Sequence, residues 1–236
     1  MIPKTIHYIW FGGKTLPKEA RRCISSWKEK CPSFRIMRWD ESNFNVFEHP
    51  FSRAAYEAKA WAFVSDYARL KIIYDEGGIY LDTDVELLKP LDFLLDSDQC
   101  YIGQHQGVDL VNTGLGFGAP RHDAAVLSML RCYDSIMFDP SLQKELACPH
   151  FNSKVMFELG WHPSDSVQVL DGATVYPPRF FDPIAPAQGN LVCDDTVSIH
   201  HYDNSWGSLR ARLRARLIDS IGRDKVIKLR DAIHRL

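Results

Sequence analysis

"AFVSDYARLKIIYDEGGIYLDTDVELLKPL", residues 62–91, decides how this chain folds. Its first half lacks Gly and Pro and sets Ala62, Ala68 and Ile72 among aromatics, and the same character extends upstream, which predicts one long helix over 53–75. Gly77 and Gly78 stop that helix and hand over to a short apolar strand, Ile79, Tyr80 and Leu81. Asp82, Asp84 and Glu86 then follow at alternate positions. Like charges this close raise one another's cost of ionisation, so the arrangement calls for a cation, a shared proton or exposure to water.

Upstream, Thr5 to Trp10 alternates as a strand closed by Gly12, Gly13 and Pro17. Lys18 to Lys30 carries Ala20, Cys23, Ile24 and Trp27 at helical spacing, and Phe34 to Trp39 alternates again. This β-α-β opening predicts an α/β domain. Downstream, strands are expected at 99–103, 115–117, 166–170 and 196–200, helices at 123–136 and 153–159, and an irregular proline- and aromatic-rich loop over 176–189. At 236 residues, 45% of them hydrophobic and 25% charged, the chain suits one globular domain, expected over 1–206, with a tail over 207–236.

The tail holds nine Lys/Arg against three Asp, so a net charge of -2 leaves the remaining residues at -8. Leu209, Leu213, Leu217 and Ile221, then Val226, Leu229, Ile233 and Leu236, give two basic amphipathic helices. Their apolar faces either pack on the domain or dock peripherally on an anionic membrane surface. Nucleic acid is not an expected partner, because the body is acidic and no recognised binding motif accompanies the tail. The N-terminus has no basic stretch followed by a long apolar run, and no window approaches a spanning helix, which predicts a cytoplasmic chain. The six cysteines are scattered without a C-x-x-C pair and read as reduced thiols that mostly fill the core.

Carboxylates at i and i+2 leaving a strand can share one hard divalent cation, and strand ends of open α/β sheets are where ligands bind. Mg²⁺ or Mn²⁺ so held completes its shell with water and phosphate oxygens, pointing to a phosphorylated substrate. An EF-hand would want Gly where Leu87 stands and Glu where Phe93 stands. A phosphatase of the aspartyl-phosphate type would want Thr or Val where Glu86 stands. A solvated acidic turn is the plain alternative. Asp66 and Arg69, three apart on the preceding helix, share a face and in isolation would read as a surface ion pair.

In order, "IPKTIHYIWFGG" (2–13), the 62–91 stretch and "SIHHYDNSW" (198–206) resemble the DXD sugar-binding domain of family 32 glycosyltransferases. That group includes yeast initiating mannosyltransferases and bacterial capsule and polysaccharide transferases, with the large clostridial glucosylating toxins as more distant relatives. The resemblance implies a GT-A-type nucleotide-binding fold with a central, mostly parallel sheet flanked by helices. It implies stacking of Trp10 on the nucleotide base, and contacts of Asp66 and Arg69 with the donor sugar and its phosphates. Asp82 and Asp84 would hold Mn²⁺ or Mg²⁺ with the diphosphate, joined by His200 or His201, and Ser205 and Trp206 would meet the leaving diphosphate. Asn112, Thr113 and Gly114 fall, by order in the chain, where such folds line the sugar and acceptor pocket, although a simple turn is the favoured reading. His122, Asp123 and Asp171 are weaker candidates of the same kind, and Glu86 reads as structural or solvated.

The expectation is a metal-dependent, retaining hexosyltransferase acting on a UDP- or GDP-sugar donor and a glycan or lipid-linked acceptor, in bacterial capsule or surface polysaccharide synthesis. The rivals are a metal-dependent phosphohydrolase, a non-catalytic sugar-nucleotide binding module and a protein-glucosylating toxin.

Overall fold

The alternation of Thr5–Ile9 produces the first strand (β1), and Lys18–Lys30 the first helix (α1), whose buried residues are Ala20, Cys23, Ile24 and Trp27 as their spacing predicts. Arg35–Trp39 (β2) lies parallel to β1. This computed structural model describes residues 1–186 and 188–202. Ser205, Trp206 and the amphipathic segments of 207–236 lie outside the described residues.

The single helix expected over 53–75 is in fact two, Pro50–Glu57 (α2) and Trp61–Glu76 (α3). Between them the chain closes in a Schellman turn, where the Ala60 N–H bonds the Ala55 carbonyl at 2.8 Å and the Lys59 N–H bonds the Tyr56 carbonyl at 2.9 Å. Lys59 takes the left-handed conformation there, with φ of 56°. Glycine normally marks such a turn. With lysine in its place, local composition carries no sign of the break.

Gly77 and Gly78 end α3 as expected. A Cβ on Gly78 (φ 105°) would stand 2.8 Å from the Thr5 carbonyl oxygen, so glycine is what lets Gly78–Tyr80 (β3) lie against β1. His7 of β1 links β2 to the turn that ends α3. Its Nδ1 accepts from Trp39 Nε1 at 2.9 Å and its Nε2 donates to the Gly77 carbonyl at 3.0 Å, while burial pushes its pKa down to about 4 and keeps the ring neutral.

The remaining strands are Val85–Leu87 (β4), Cys100–Gln104 (β5), Val111–Ala119 (β6), Gln168–Val169 (β7), Ala173–Tyr176 (β8) and Ser198–His200 (β9). Seven strands form one mixed sheet in the order β2-β1-β3-β6-β5-β8-β7, and β4 pairs with β9 in a separate two-stranded ribbon. The sheet is parallel along β2-β1-β3 and between β5 and β8, and antiparallel where β6 meets β3 and β5 and where β7 meets β8. Helices Ala124–Arg131 (α4), Cys148–Glu158 (α5) and Pro178–Phe181 (α6) complete the described chain.

Three expectations change here. Asn112, Thr113 and Gly114 are not a turn but the start of β6, which runs from Val111 rather than Leu115. The glycines in this strand accommodate bulky neighbours, with Phe181 covering Gly116 and Tyr101 covering Gly118. The loop expected over 176–189 contains α6, and β8 just before it has no counterpart among the expected strands. Asp123 caps α4, its carboxylate accepting from the Ala125 and Val126 N–H groups and from Cys100 N–H, which is a structural role. The six cysteines are thiols, and four of them (Cys23, Cys31, Cys100, Cys148) are buried.

Two apolar cores flank the sheet, and β3 feeds both. Ile79 and Leu81 pack with Trp27 of α1, whereas Tyr80 packs with Leu70 and Ile73 of α3. The period of two therefore aims Tyr80, and Asp82 beyond it, toward the α3 side.

Candidate active site

α3 buries polar residues together with its apolar ones. Ser65, Asp66 and Arg69 are all enclosed, and Arg69 Nη2 lies 3.0 Å from Asp66 Oδ1 with side chains 6% and 11% exposed. This is a buried ion pair, where the i,i+3 spacing alone suggested a surface one. Arg69 Nε also donates to the Ser65 carbonyl at 3.1 Å, and its guanidinium lies 4.8 Å from the centre of the Tyr80 ring. Burial alone would lower the Arg69 pKa, but Asp82, Tyr80 and Asp66 outweigh it and hold the guanidinium charged. Burial pushes the Asp66 carboxyl up, against Arg69 and Cys148, which bonds to it from the start of α5.

Asp82 stands where β3 ends. Its Oδ1 accepts the Tyr80 hydroxyl at 2.8 Å and lies 3.5 Å from Arg69 Nη2. Gly114 of β6 backs this carboxylate so closely that a Cβ there would lie 2.3 Å from Asp82 Oδ2. The Gly114 N–H is held by Asn112 Oδ1 at 2.8 Å, and Cys148 Sγ reaches the same oxygen at 3.8 Å. The structure thus brings Asn112 and Gly114 to Asp66, Arg69 and Asp82. Gly114 falls within the Asn112–Gly114 stretch noted from chain order, no motif marks Cys148, and the alternation of β3 could have pointed to Tyr80.

The ribbon supplies the rest. β4 is held on one edge by α1, through Trp27 Nε1 donating to the Val85 carbonyl at 2.7 Å and Ser26 Oγ accepting from Leu87 N–H at 2.9 Å. Its other edge pairs with β9 so that Val85 faces His200, and the His201 N–H bonds the Asp84 carbonyl at 2.9 Å. Successive side chains of β9 point to opposite faces. His200 Nε2 accordingly lies 3.3 Å from Asp84 Oδ1 and 3.9 Å from Asp82 Oδ2, while His201 Nε2 lies 2.8 Å from Glu86 Oε2 on the other face. Arg22 of α1 also donates to Glu86 at 2.7 Å. Glu86 is a structural partner, as its place outside the motif suggested.

Ligand atoms of Asp82, Asp84 and His200 all fall within 4.8 Å of one another, the one such grouping of three found among the described residues. Two carboxylate oxygens and an imidazole nitrogen are an acceptable donor set for Mn²⁺. Burial would lower the His200 pKa, but Asp84 and Asp82 raise it to about 10, so this cluster demands positive charge. A divalent cation meets the same demand, and the residues fit it.

Trp10 follows β1 directly, with its indole N–H donating to the Lys14 carbonyl at 2.6 Å and its side chain buried. His122 hydrogen-bonds through its backbone to Tyr74, and Asp171 lies in the turn before β8. Neither belongs to the cluster found around Asp82. Beyond the Gly12–Gly13 turn, an open groove of about 460 Å³ is lined by Glu41, Asn43, Asn45, Phe47 and Tyr56.

Residues 17–101 match the family described as glycosyltransferase sugar-binding region containing DXD motif. An uncharacterized glycosyltransferase of Acanthamoeba polyphaga mimivirus is 37% identical over 101 residues, 40% of this chain and 40% of its own. Inositol phosphoceramide mannosyltransferase 1 of Schizosaccharomyces pombe is 28% identical over 105 residues, 40% of this chain and 31% of its own. The chain thus spans well under half the length of these relatives. Among solved structures, the PaToxG glycosyltransferase aligns over 66% of this chain and 69% of its own at 16% identity, with a TM-score of 0.49. The matched region contains α1, α3, Asp66, Arg69 and both motif aspartates. Over residues 17–101 this chain resembles the DXD-containing glycosyltransferase sugar-binding family.

Proposed function

We propose that the chain transfers a hexose from a UDP- or GDP-sugar to a glycan or lipid-linked acceptor, with retention of anomeric configuration, using Mn²⁺ or Mg²⁺ at Asp82, Asp84 and His200. The observation that carries this reading is the convergence of the acidic pair and an imidazole with a buried, charged arginine at the end of β3. When bound, the cation would serve as a Lewis acid toward the diphosphate oxygens. Arg69 adds a fixed positive charge where negative charge develops on the departing diphosphate, and it needs no reorganisation to do so. Asp66, pinned by Arg69 and the start of α5, is placed to accept a hydrogen bond from a sugar hydroxyl. The attacking hydroxyl comes from the acceptor, so no protein nucleophile is assigned.

Trp10 keeps its proposed role in base stacking only if the positive-φ glycines after it, Gly12 and Gly13, move to uncover the ring. Ser205 and Trp206 are proposed to contact the leaving diphosphate. A lipid-borne acceptor agrees with the name of the fission-yeast relative, an inositol phosphoceramide mannosyltransferase. No described helix is long and apolar enough to cross a membrane, and peripheral docking through 207–236 belongs to the same proposal, together with a place in surface polysaccharide assembly.

The test is donor hydrolysis across a panel of UDP- and GDP-sugars with Mn²⁺, run beside EDTA and Asp84→Ala. Metal-dependent release of one nucleoside diphosphate, lost in the variant, is the expected result. Turnover of simple phosphate esters instead would favour a phosphohydrolase. Donor binding without cleavage, even with acceptor glycans added, would favour a binding module.

A further inference from the structure

We infer that Tyr202 and Asp182 are positioning residues for His200, setting the plane of the imidazole that completes the cation cluster; this rests on the metal-site reading proposed above. Asp182 is fully buried at the end of α6. A carboxylate so enclosed is tolerated only when its oxygens are bonded. Its Oδ1 accepts the Tyr202 hydroxyl at 2.7 Å and its Oδ2 accepts the Gln106 N–H at 2.8 Å, with His105 Nδ1 at 3.2 Å from the same oxygen. Gln106 fixes the segment in turn, since its side-chain amide donates to the Gly189 carbonyl at 2.7 Å and accepts the Ala185 N–H at 2.8 Å. Asp182 therefore anchors Tyr202 to the end of β5.

Tyr202 adopts φ of 54°, a left-handed conformation uncommon outside glycine, so the backbone bends sharply two residues after His200. The bend lays the Tyr202 ring against the His200 imidazole, with centroids 4.2 Å apart and planes at 87°. Histidines that hold metals are ordinarily oriented by a hydrogen bond from the second ring nitrogen to a carboxylate or carbonyl. His200 Nδ1 is buried and has no hydrogen-bond partner among the described residues. Orientation then falls to packing, and the packing surface is the tyrosine that Asp182 anchors. α6 and β5 lie outside the matched family region except for the first residues of β5, so this support is a property of the rest of the chain.

The experiment is Mn²⁺ titration of the full chain, without donor, followed by the electron paramagnetic resonance signal of free Mn²⁺. Tyr202→Phe, Tyr202→Ala and Asp182→Asn are each made in the native and the His200→Ala backgrounds, with thermal midpoints recorded without metal. Loss of an outer partner typically weakens a metal site about 10- to 100-fold. Tyr202→Ala and Asp182→Asn are expected near the lower end of that range, Tyr202→Phe at roughly half the effect on a logarithmic scale, and none should weaken binding further once His200 is gone. Tyr202→Phe keeps the ring and should shift the metal-free midpoint by no more than about 4 °C. Unchanged Mn²⁺ affinity in Tyr202→Ala and Asp182→Asn, or an equal loss with and without His200, would overturn the inference. Equal Mn²⁺ binding by the wild type and Asp84→Ala would overturn the metal-site reading itself, and this inference with it.

Discussion

The β4–β9 ribbon carries an acid-and-histidine cluster on each face. On one, Asp82, Asp84 and His200 are 27%, 15% and 10% exposed in their side chains; on the other, Glu86 and His201 are 23% and 33% exposed beside an Arg22 that is 69% exposed. The outer face neutralises itself, because Arg22 supplies a solvated cation that belongs to no other acid in the cluster. The inner face does not, because its one guanidinium, Arg69, is shared by Asp66 and Asp82. Carboxylate, histidine and arginine meet on both sides. The difference lies in how much positive charge the surrounding fold supplies, and on the function proposed above it is the inner face that would take a cation and a diphosphate.

Asp84→Ala tests this contrast most severely. It should lower metal-dependent donor cleavage by roughly 10²- to 10³-fold, the range for losing one major electrostatic contributor, and an EDTA-sensitive assay reads it directly. Gly114→Ala adds a methyl that would lie 2.3 Å from Asp82 Oδ2, so Asp82 must shift. A displacement near 1 Å can cost about 10²-fold, which should appear in kcat and in Mn²⁺ affinity together. Arg69→Lys retains charge but cannot reach Asp66, Asp82 and the Ser65 carbonyl at once, and about a tenfold loss of kcat/KM is expected.

Glu86→Gln, on the outer face, should leave donor cleavage within about threefold of the wild type and cost at most ~1 kcal/mol of stability. Burial tends to raise the Glu86 pKa, but hydrogen bonds from His201 and Arg22 outweigh it and hold the carboxyl below its usual range. A carboxyl depressed in the folded state contributes stability that is present above its unfolded pKa and is lost as the pH falls through the folded value. Denaturation midpoints should therefore show wild type above Glu86→Gln near neutrality, with the gap closing in acid. A Glu86→Gln variant as inactive as Asp84→Ala would break the contrast between the faces.

The difference between the faces was only partly legible in the chain. Alternation through Ile79, Tyr80 and Leu81 placed the acids at a strand end, and α1 appears over the residues its apolar spacing indicated. The choice between His200 and His201 was open, because it depends on the β9 register against β4, a pairing that no local pattern announces. The burial of Asp66 and Arg69 was also hidden, since i,i+3 spacing looks alike on a surface helix and on one enclosed like α3. Lys59 concealed the break before α3 by adopting a glycine's conformation, and Asn112, Thr113 and Gly114 suggested a turn where they open β6 and Gly114 makes room for the Asp82 carboxylate.

The ribbon also dictates when the cluster can come into being. Glu86 and His201 are 115 residues apart in the chain, and their pairing accompanies the arrival of His200 beside Asp84. Contacts that close so long a loop incur their entropic cost before any local reward. During synthesis, the two aspartates emerge long before their imidazole. A chain still being translated holds two of the three members of the Asp82–Asp84–His200 cluster, and the complete cluster becomes available only when the last described strand has been made and laid against β4.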